Sequence, residues 1–260
     1  MLTITSKDNQ YLKLARSLQQ RKGRIQSGCF LAEGLRLGEE ALLSGQVLRY
    51  VLLADDASAA VGGLAARAAD GGVPVYTVSS RLLNQLTATE HSQGIAMVCQ
   101  MRDKAVLPAD GHCYALCDGV ADPGNLGAIF RSAYAANVAG LILGPNCADP
   151  YNPKTVRAAM GALFRLPFYR AAGNEEAASI ADRLKLAVYI TAMDGQDIRK
   201  MGDKLQKPHL WVLGSEAGGV SDFWRQRSDG AVALPMRQGA ESLNVAAAAT
   251  VLFYQSFFVK

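Results

Sequence analysis

The sequence predicts an α/β protein built in two parts, the second around a mostly parallel sheet with helices on both faces. Three observations carry this. Short apolar runs alternate with helix-length segments through both halves, the pattern of strand–helix units. A polar stretch over 102–112, containing Asp103, Lys104, Pro108, Asp110 and Gly111, separates two such series. The chain has 260 residues, half of them hydrophobic, which is enough for one large domain or two small ones.

The first part, 1–105, reads as a small α/β unit. Residues 7–22 form a basic amphipathic helix with Leu12, Leu14, Ala15 and Leu18 on its apolar stripe and Ser6 as its N-cap. Strands are expected at 29–32, 49–54, 73–78 and 95–100, and helices at 34–43, 57–69 and 81–87. The linker is 106–112, at the end of the polar stretch. In the second part, 113–260, strands are expected at 113–117, 140–143, 186–192, 209–213 and 231–234. Helices are expected at 127–137, 153–164, 220–227 and 242–258. Pro153 sits in a first helical turn, where its missing N–H costs nothing.

Bulk properties exclude several classes. The net charge of +4 and pI of about 8.8 are mildly basic. The excess is concentrated: residues 1–36 carry seven Lys and Arg against Asp8 and Glu33, as expected of a chain that meets a polyanion at one end. The five cysteines are odd in number and mostly lie in apolar runs, which suits buried thiols in a reducing compartment. With only three scattered histidines, no metal site is expected. No segment has the length and apolarity of a membrane span or a signal peptide, so a cytoplasmic protein is expected.

Ligands of a parallel α/β sheet collect at the carboxyl ends of its strands, and three polar loops there stand out. The first, Asp118 to Ala133, places Asp122-Pro123-Gly124-Asn125-Leu126-Gly127 before a helix and Arg131 a turn inside it. A guanidinium there can fork onto a phosphate. Neither a dinucleotide-binding Gly-x-Gly-x-x-Gly nor a Walker lysine is present, which counts against a nucleotide-dependent oxidoreductase. The second is Leu213-Gly214-Ser215-Glu216-Ala217-Gly218-Gly219, where glycines let backbone approach a flat ligand. The third is Leu234-Pro235-Met236 followed by Glu241-Ser242-Leu243-Asn244-Val245. Ser242 reads as the N-cap of the last helix, with Asn244 inside the first turn.

Taken together and in this order, the three blocks resemble motifs 1, 2 and 3 of the SpoU/TrmH class of SPOUT methyltransferases. The helix with Lys154-Thr155-Val156-Arg157-Ala158-Ala159-Met160-Gly161 is similar to that family's intervening helix, although Ala158-Ala159 departs from its Ser or Thr. Phe30-Leu31-Ala32-Glu33-Gly34 resembles a motif of the L30e-like substrate-binding domain found in members that act on ribosomal RNA. The resemblance implies a C-terminal trefoil knot, a homodimer with the active site near its interface, and S-adenosyl-L-methionine as cofactor. It also implies methyl transfer to a ribose 2′-hydroxyl, most simply of 23S-type ribosomal RNA. By motif, Arg131, Asn125, Glu216, Ser242 and Asn244 carry the chemistry. Gly214, Glu216, Gly218, Leu234, Met236, Ser242 and Leu243 hold the cofactor. Lys13, Arg16, Arg21, Lys22, Arg24 and Arg131 face the RNA. Transfer RNA as target, a base atom as acceptor, a role in antibiotic resistance, and an RNA-binding protein without catalysis remain alternatives.

Overall fold

The computed structural model describes residues 2–87, 93–102, 105–202, 205–206, 208–239 and 242–258. The chain folds into two compact units, Met1–Arg102 with Asp149–Phe164, and Asp103–Ala148 with Arg165–Lys260. Asp103 and Lys104, in the polar stretch ahead of the expected linker, lie outside the described residues.

In chain order the first unit contains β1 (Leu2–Ile4), α1 (Gln10–Ser17), α2 (Arg21–Ser27), β2 (Cys29–Glu33), α3 (Leu35–Leu43), β3 (Leu48–Ala54), α4 (Ala59–Asp70), β4 (Val75–Val78), α5 (Ser80–Asn84) and β5 (Ile95–Gln100). Its sheet runs β1-β4-β3-β5-β2. β1, β4 and β3 are parallel, and β5 lies antiparallel between β3 and β2. Leu12, Ala15 and Leu18 are fully buried against Leu31, Leu52 and Val98, so the apolar stripe read in the sequence faces the core. Each such leucine contributes about 1.5–3 kcal/mol when fully buried.

The single helix expected over 7–22 is two helices. Asn9, not Ser6, caps α1, its side chain accepting from the Tyr11 N–H at 2.9 Å. The chain leaves helical geometry at Gln20 and folds back so tightly that a Cβ on Gly23 would lie 2.1 Å from the Ser17 carbonyl oxygen. Only glycine permits that approach.

The turn buries Arg24, which corrects the expectation that it faces RNA. Its Nη1 donates to the carbonyls of Leu18 (2.8 Å) and Gln19 (3.2 Å), and its Nη2 and Nε donate to Asp149 at 2.6 and 3.0 Å. The Arg24 side chain is 3% exposed and that of Asp149 9%. The guanidinium satisfies carbonyls left open where α1 ends and ties 149–164 into the first unit. That segment, read with the second part, packs here: Tyr151 and Phe164 lie 4.6 and 6.1 Å from Phe30 between ring centroids. The helix expected over 153–164 breaks into α7 (Pro153–Ala159) and α8 (Ala162–Arg165). Met160 and Gly161 between them have φ of 49° and 91°, outside the right-handed helical region.

The second unit contains β6 (Cys113–Asp118), α6 (Pro123–Ala135), β7 (Gly140–Leu143), β8 (Phe168–Arg170), α9 (Asn174–Arg183), β9 (Ala187–Asp197), β10 (His209–Gly214), α10 (Asp222–Arg227), β11 (Gly230–Ala233) and α11 (Val245–Phe258). The sheet order is β11-β9-β10-β6-β7-β8, and every pairing is parallel. All six carboxyl ends therefore open on one edge. β1, β8 and α9 were not expected from the sequence. α6 starts four residues earlier than expected, capped by Asp122, whose carboxylate accepts from the Asn125 N–H at 2.8 Å.

Removing one partner of a buried ion pair strands the other charge. Arg24→Ala is expected to lower the stability of the first unit by about 3–5 kcal/mol, read as a lower midpoint in denaturant. An unchanged midpoint would show that the pair contributes nothing.

Candidate active site

The carboxyl end of β10 sets the site. The chain turns back through Ser215–Gly219, closed by paired backbone bonds, Ser215 N–H to Gly219 carbonyl at 3.0 Å and the reverse at 2.9 Å. The Ser215 hydroxyl accepts from the Gly218 N–H at 3.1 Å. A Cβ on Gly214 would fall 2.1 Å from the Gly219 carbonyl carbon, so this turn requires glycine. Asp118, at the end of the neighbouring β6, is buried, and its Oδ2 accepts from the Ser221 N–H at 2.7 Å. That bond pins the end of the turn to the strand carrying the first polar loop. Nothing in the sequence singled out Asp118, because its partner lies 103 residues away.

Three side chains, Asn125 from the first turn of α6 and Glu216 and Asn244 from loops, join across this edge. Asn244 Oδ1 accepts from the N–H groups of Ala246 (2.9 Å) and Ala247 (3.2 Å). It is therefore the N-cap of α11, the role expected of Ser242. With its oxygen held by backbone donors, its Nδ2 turns to Asn125 Oδ1 at 2.9 Å. The Asn125 Nδ2 in turn donates to Glu216 Oε1 at 2.7 Å, a charge-assisted bond. The helix terminus thus fixes the orientation of both amides and gives the Glu216 carboxylate its place.

Beside this relay lies a cavity of about 380 Å³, within the size range of small-molecule sites. Gly214, Glu216, Leu234, Met236, Ser242 and Leu243 line it, together with Asn244. Gly218 does not; Gly219 takes that position. Sequence reasoning missed the wall formed by Thr191, Ala192 and Met193. There β9 leaves its partner: Ala231 pairs with Ile190 and the next residue, Val232, with Gln196. The intervening residues bulge outward, and Gly195 lets the strand return, since a Cβ there would lie 2.6 Å from the Val232 nitrogen. Gly195 was the one available signal. Glu241 of the third block lies outside the described residues.

Arg131 is exposed on α6 and does not line the cavity. Of the other expected RNA-facing cations, Lys13, Arg16, Arg21 and Lys22 are exposed. Burial pushes the Cys113 thiol up to about 12 and the Cys147 thiol up to about 11, so both are protonated near neutrality and are poor nucleophiles. Among the described residues no three His, Cys, Asp or Glu side chains group as metal ligands, and no helix is long and apolar enough to cross a membrane.

Comparison with known proteins gives this geometry a family. Residues 112–254 match the SpoU rRNA Methylase family and residues 9–97 the MRM3-like substrate binding domain. The chain belongs to the SpoU rRNA methylase family. This SpoU methylase is 33% identical to a 23S rRNA (guanosine(2553)-2′-O)-methyltransferase of Bacillus subtilis, over 98% of each chain. It superimposes on an AdoMet-bound rRNA methyltransferase of Sinorhizobium meliloti with a TM-score of 0.87 at 30% identity, covering 98% of this chain and 96% of that one. A SpoU methyltransferase of Streptomyces viridochromogenes, solved in complex with the cofactor AdoMet, matches at a TM-score of 0.85 and 28% identity, covering 96% and 97%.

Replacing Asp118 by Ala removes the acceptor for the Ser221 N–H. Loss of about 1–3 kcal/mol is expected in thermal unfolding, together with weaker cofactor binding. Asp118→Asn keeps an acceptor and is expected to recover most of both. Equal damage from the two substitutions would show that the hydrogen bond is not what matters.

Proposed function

We propose that this chain transfers the methyl group of S-adenosylmethionine to a ribose 2′-hydroxyl of 23S ribosomal RNA. The observation that carries the reading is the full-length likeness to the Bacillus subtilis 2′-O-methyltransferase, over 98% of both chains. The relay of Asn244, Asn125 and Glu216 at the rim of the cavity gives that likeness a local structure.

The cavity fits the cofactor. Leu213, Val232, Leu234, Met236 and Leu243 offer apolar contact to a purine, and Thr191, Ser215, Glu216 and Ser242 offer polar contact to hydroxyl and amino groups. Gly214 leaves no side chain between the ligand and the backbone. Gly218 braces the turn from outside. When bound, S-adenosylmethionine supplies a methyl group already activated on a sulfonium. The protein's tasks are to align the ribose oxygen and manage its proton. The Arg131 guanidinium carries only N–H donors and no acceptor, so it is not the base. It polarises the 2′-oxygen or holds an adjacent phosphate. Asn125 and Asn244 position the ribose, and Glu216 braces both against the turn.

The remaining assignments follow from the same reading. Residues 1–105 bind RNA substrate, 106–112 link, and 113–260 form the methyltransferase. The match of 9–97 to a substrate binding domain supports the first. Lys13, Arg16, Arg21 and Lys22 supply cations on its surface; Arg24 does not. A homodimer is supported by exposed apolar side chains on α6 and α11: Tyr134, Val251, Phe257 and Phe258 are 46–71% exposed. Arg131 shares α6 with Tyr134, so pairing through this face carries it to the interface. Family membership supports the trefoil knot. A cytoplasmic setting is supported by the ribosomal substrate and by five free cysteines.

The test uses unmodified ribosomal RNA, transfer RNA and S-adenosylmethionine labelled in its methyl group, with the labelled nucleoside identified after digestion. A 2′-O-methylated nucleoside from ribosomal RNA is expected, with turnover reduced at least about 100-fold by Arg131→Ala, the scale of losing a transition-state donor. Label on a base, or on transfer RNA alone, contradicts the assignment.

A further inference from the structure

The first unit carries a second polar hollow, apart from the cavity at the sheet edge. Gln10, Tyr11 and Leu14 of α1 line it with Arg49 and Tyr50 of β3, around an open volume of about 340 Å³. The wall is rigid. The Tyr11 ring stacks on Tyr76 of β4 with centroids 4.2 Å apart and planes at 26°. It also meets the buried Tyr50 ring edge-on at 5.2 Å. The Tyr50 hydroxyl donates to the Tyr11 carbonyl at 2.7 Å, fixing the helix to the strand behind it.

Two polar groups at this wall carry no hydrogen bond or ion pair to protein among the described residues. Arg49 is exposed, and among the described residues no hydrogen bond or salt bridge ends on its guanidinium. Gln10 is exposed with its amide equally uncommitted. Alternation along β3 explains the contrast with Tyr50, whose ring enters the core while the preceding side chain points out. Lys13 and Arg16 lie exposed on the same helix, Lys13 in an exposed ion pair with Asp8 at 3.7 Å.

Each component has a counterpart in one ligand. An aromatic wall and a planar guanidinium offer stacking surfaces to a base. A free amide offers a donor and an acceptor to a base edge. Cations along the helix suit the flanking phosphates. A paired helix presents phosphates but keeps its base faces stacked, so it would use the cations and leave the ring and amide idle. We infer that the hollow of Gln10, Tyr11 and Arg49 is a docking site for one unpaired nucleotide of the RNA substrate. The inference rests on the reading of the chain as an RNA methyltransferase and adds that its substrate is single-stranded where it meets α1.

The test measures binding of the full chain to a short single-stranded RNA and to a fully paired RNA of equal length, by fluorescence anisotropy. Wild type, Arg49→Ala and Gln10→Ala are compared, with thermal unfolding to confirm that the variants fold. Arg49→Ala is expected to weaken single-strand binding about fivefold or more, the scale of one lost stacking partner. Gln10→Ala should weaken it less and bind duplex within about twofold of wild type, while Arg49→Ala, which also removes a charge, should weaken duplex binding less than it weakens single-strand binding. Labelled methyl transfer by the same proteins should show a raised KM for RNA and an unchanged kcat. The inference fails if wild type does not bind the single strand, if Arg49→Ala binds it like wild type, or if duplex binding falls as far. A wild type that methylates no RNA overturns the functional reading itself. A wild type that methylates RNA, beside an Arg49→Ala protein with unaltered single-strand binding, overturns only the docking site.

Discussion

Asn244 has a single amide, and the site depends on how the fold divides it. The free N–H groups at the start of α11 take its oxygen, because donors at a helix terminus need an acceptor. That choice leaves its nitrogen for Asn125, and Asn125 its nitrogen for Glu216. A local requirement of one helix thus sets the orientation of polar groups on three segments separated by up to 119 residues in sequence. The all-parallel sheet makes the arrangement possible, since it delivers the ends of β6, β10 and β11 to the same edge.

Glycines do the complementary work. At Gly214 and Gly195 the backbone passes too close to another strand or turn for any side chain. The first closes the Glu216 turn, and the second lets β9 bulge outward as the cavity wall. Asp118 ties the end of the Glu216 turn to the carboxyl end of β6. This edge of the sheet is therefore held mainly by backbone close approach and by a few directed hydrogen bonds.

Much of this was legible in the sequence. The alternating elements of the second unit were readable because apolar runs of strand length are punctuated there by Gly, Pro and Asn. Each loop block alone reads as an ordinary strand-to-helix turn or cap; the three were readable through their order and content, which resemble the family's motifs. What stayed hidden depended on partners far along the chain. Arg24 looked like one of several surface cations until Asp149 was brought to it. The break between α1 and α2 is local instead, with Gly23 packed closely against Ser17. β8 is three residues long and follows a proline, and α9 opens on Asn174-Glu175-Glu176, which hides its apolar face. The relay itself could not be read, because sequence gives the presence of two amides and a carboxylate but not which atom of each faces which.

A double-mutant cycle on the relay separates joint from independent action of its side chains. The kcat/KM for methyl transfer would be determined for wild type, Asn125→Ala, Glu216→Ala and the double variant. If the two side chains act as one unit, the double variant is about as impaired as the worse single one, with a coupling of about 1–3 kcal/mol. If the two losses simply multiply, Asn125 and Glu216 act independently and the relay is not what assembles the site.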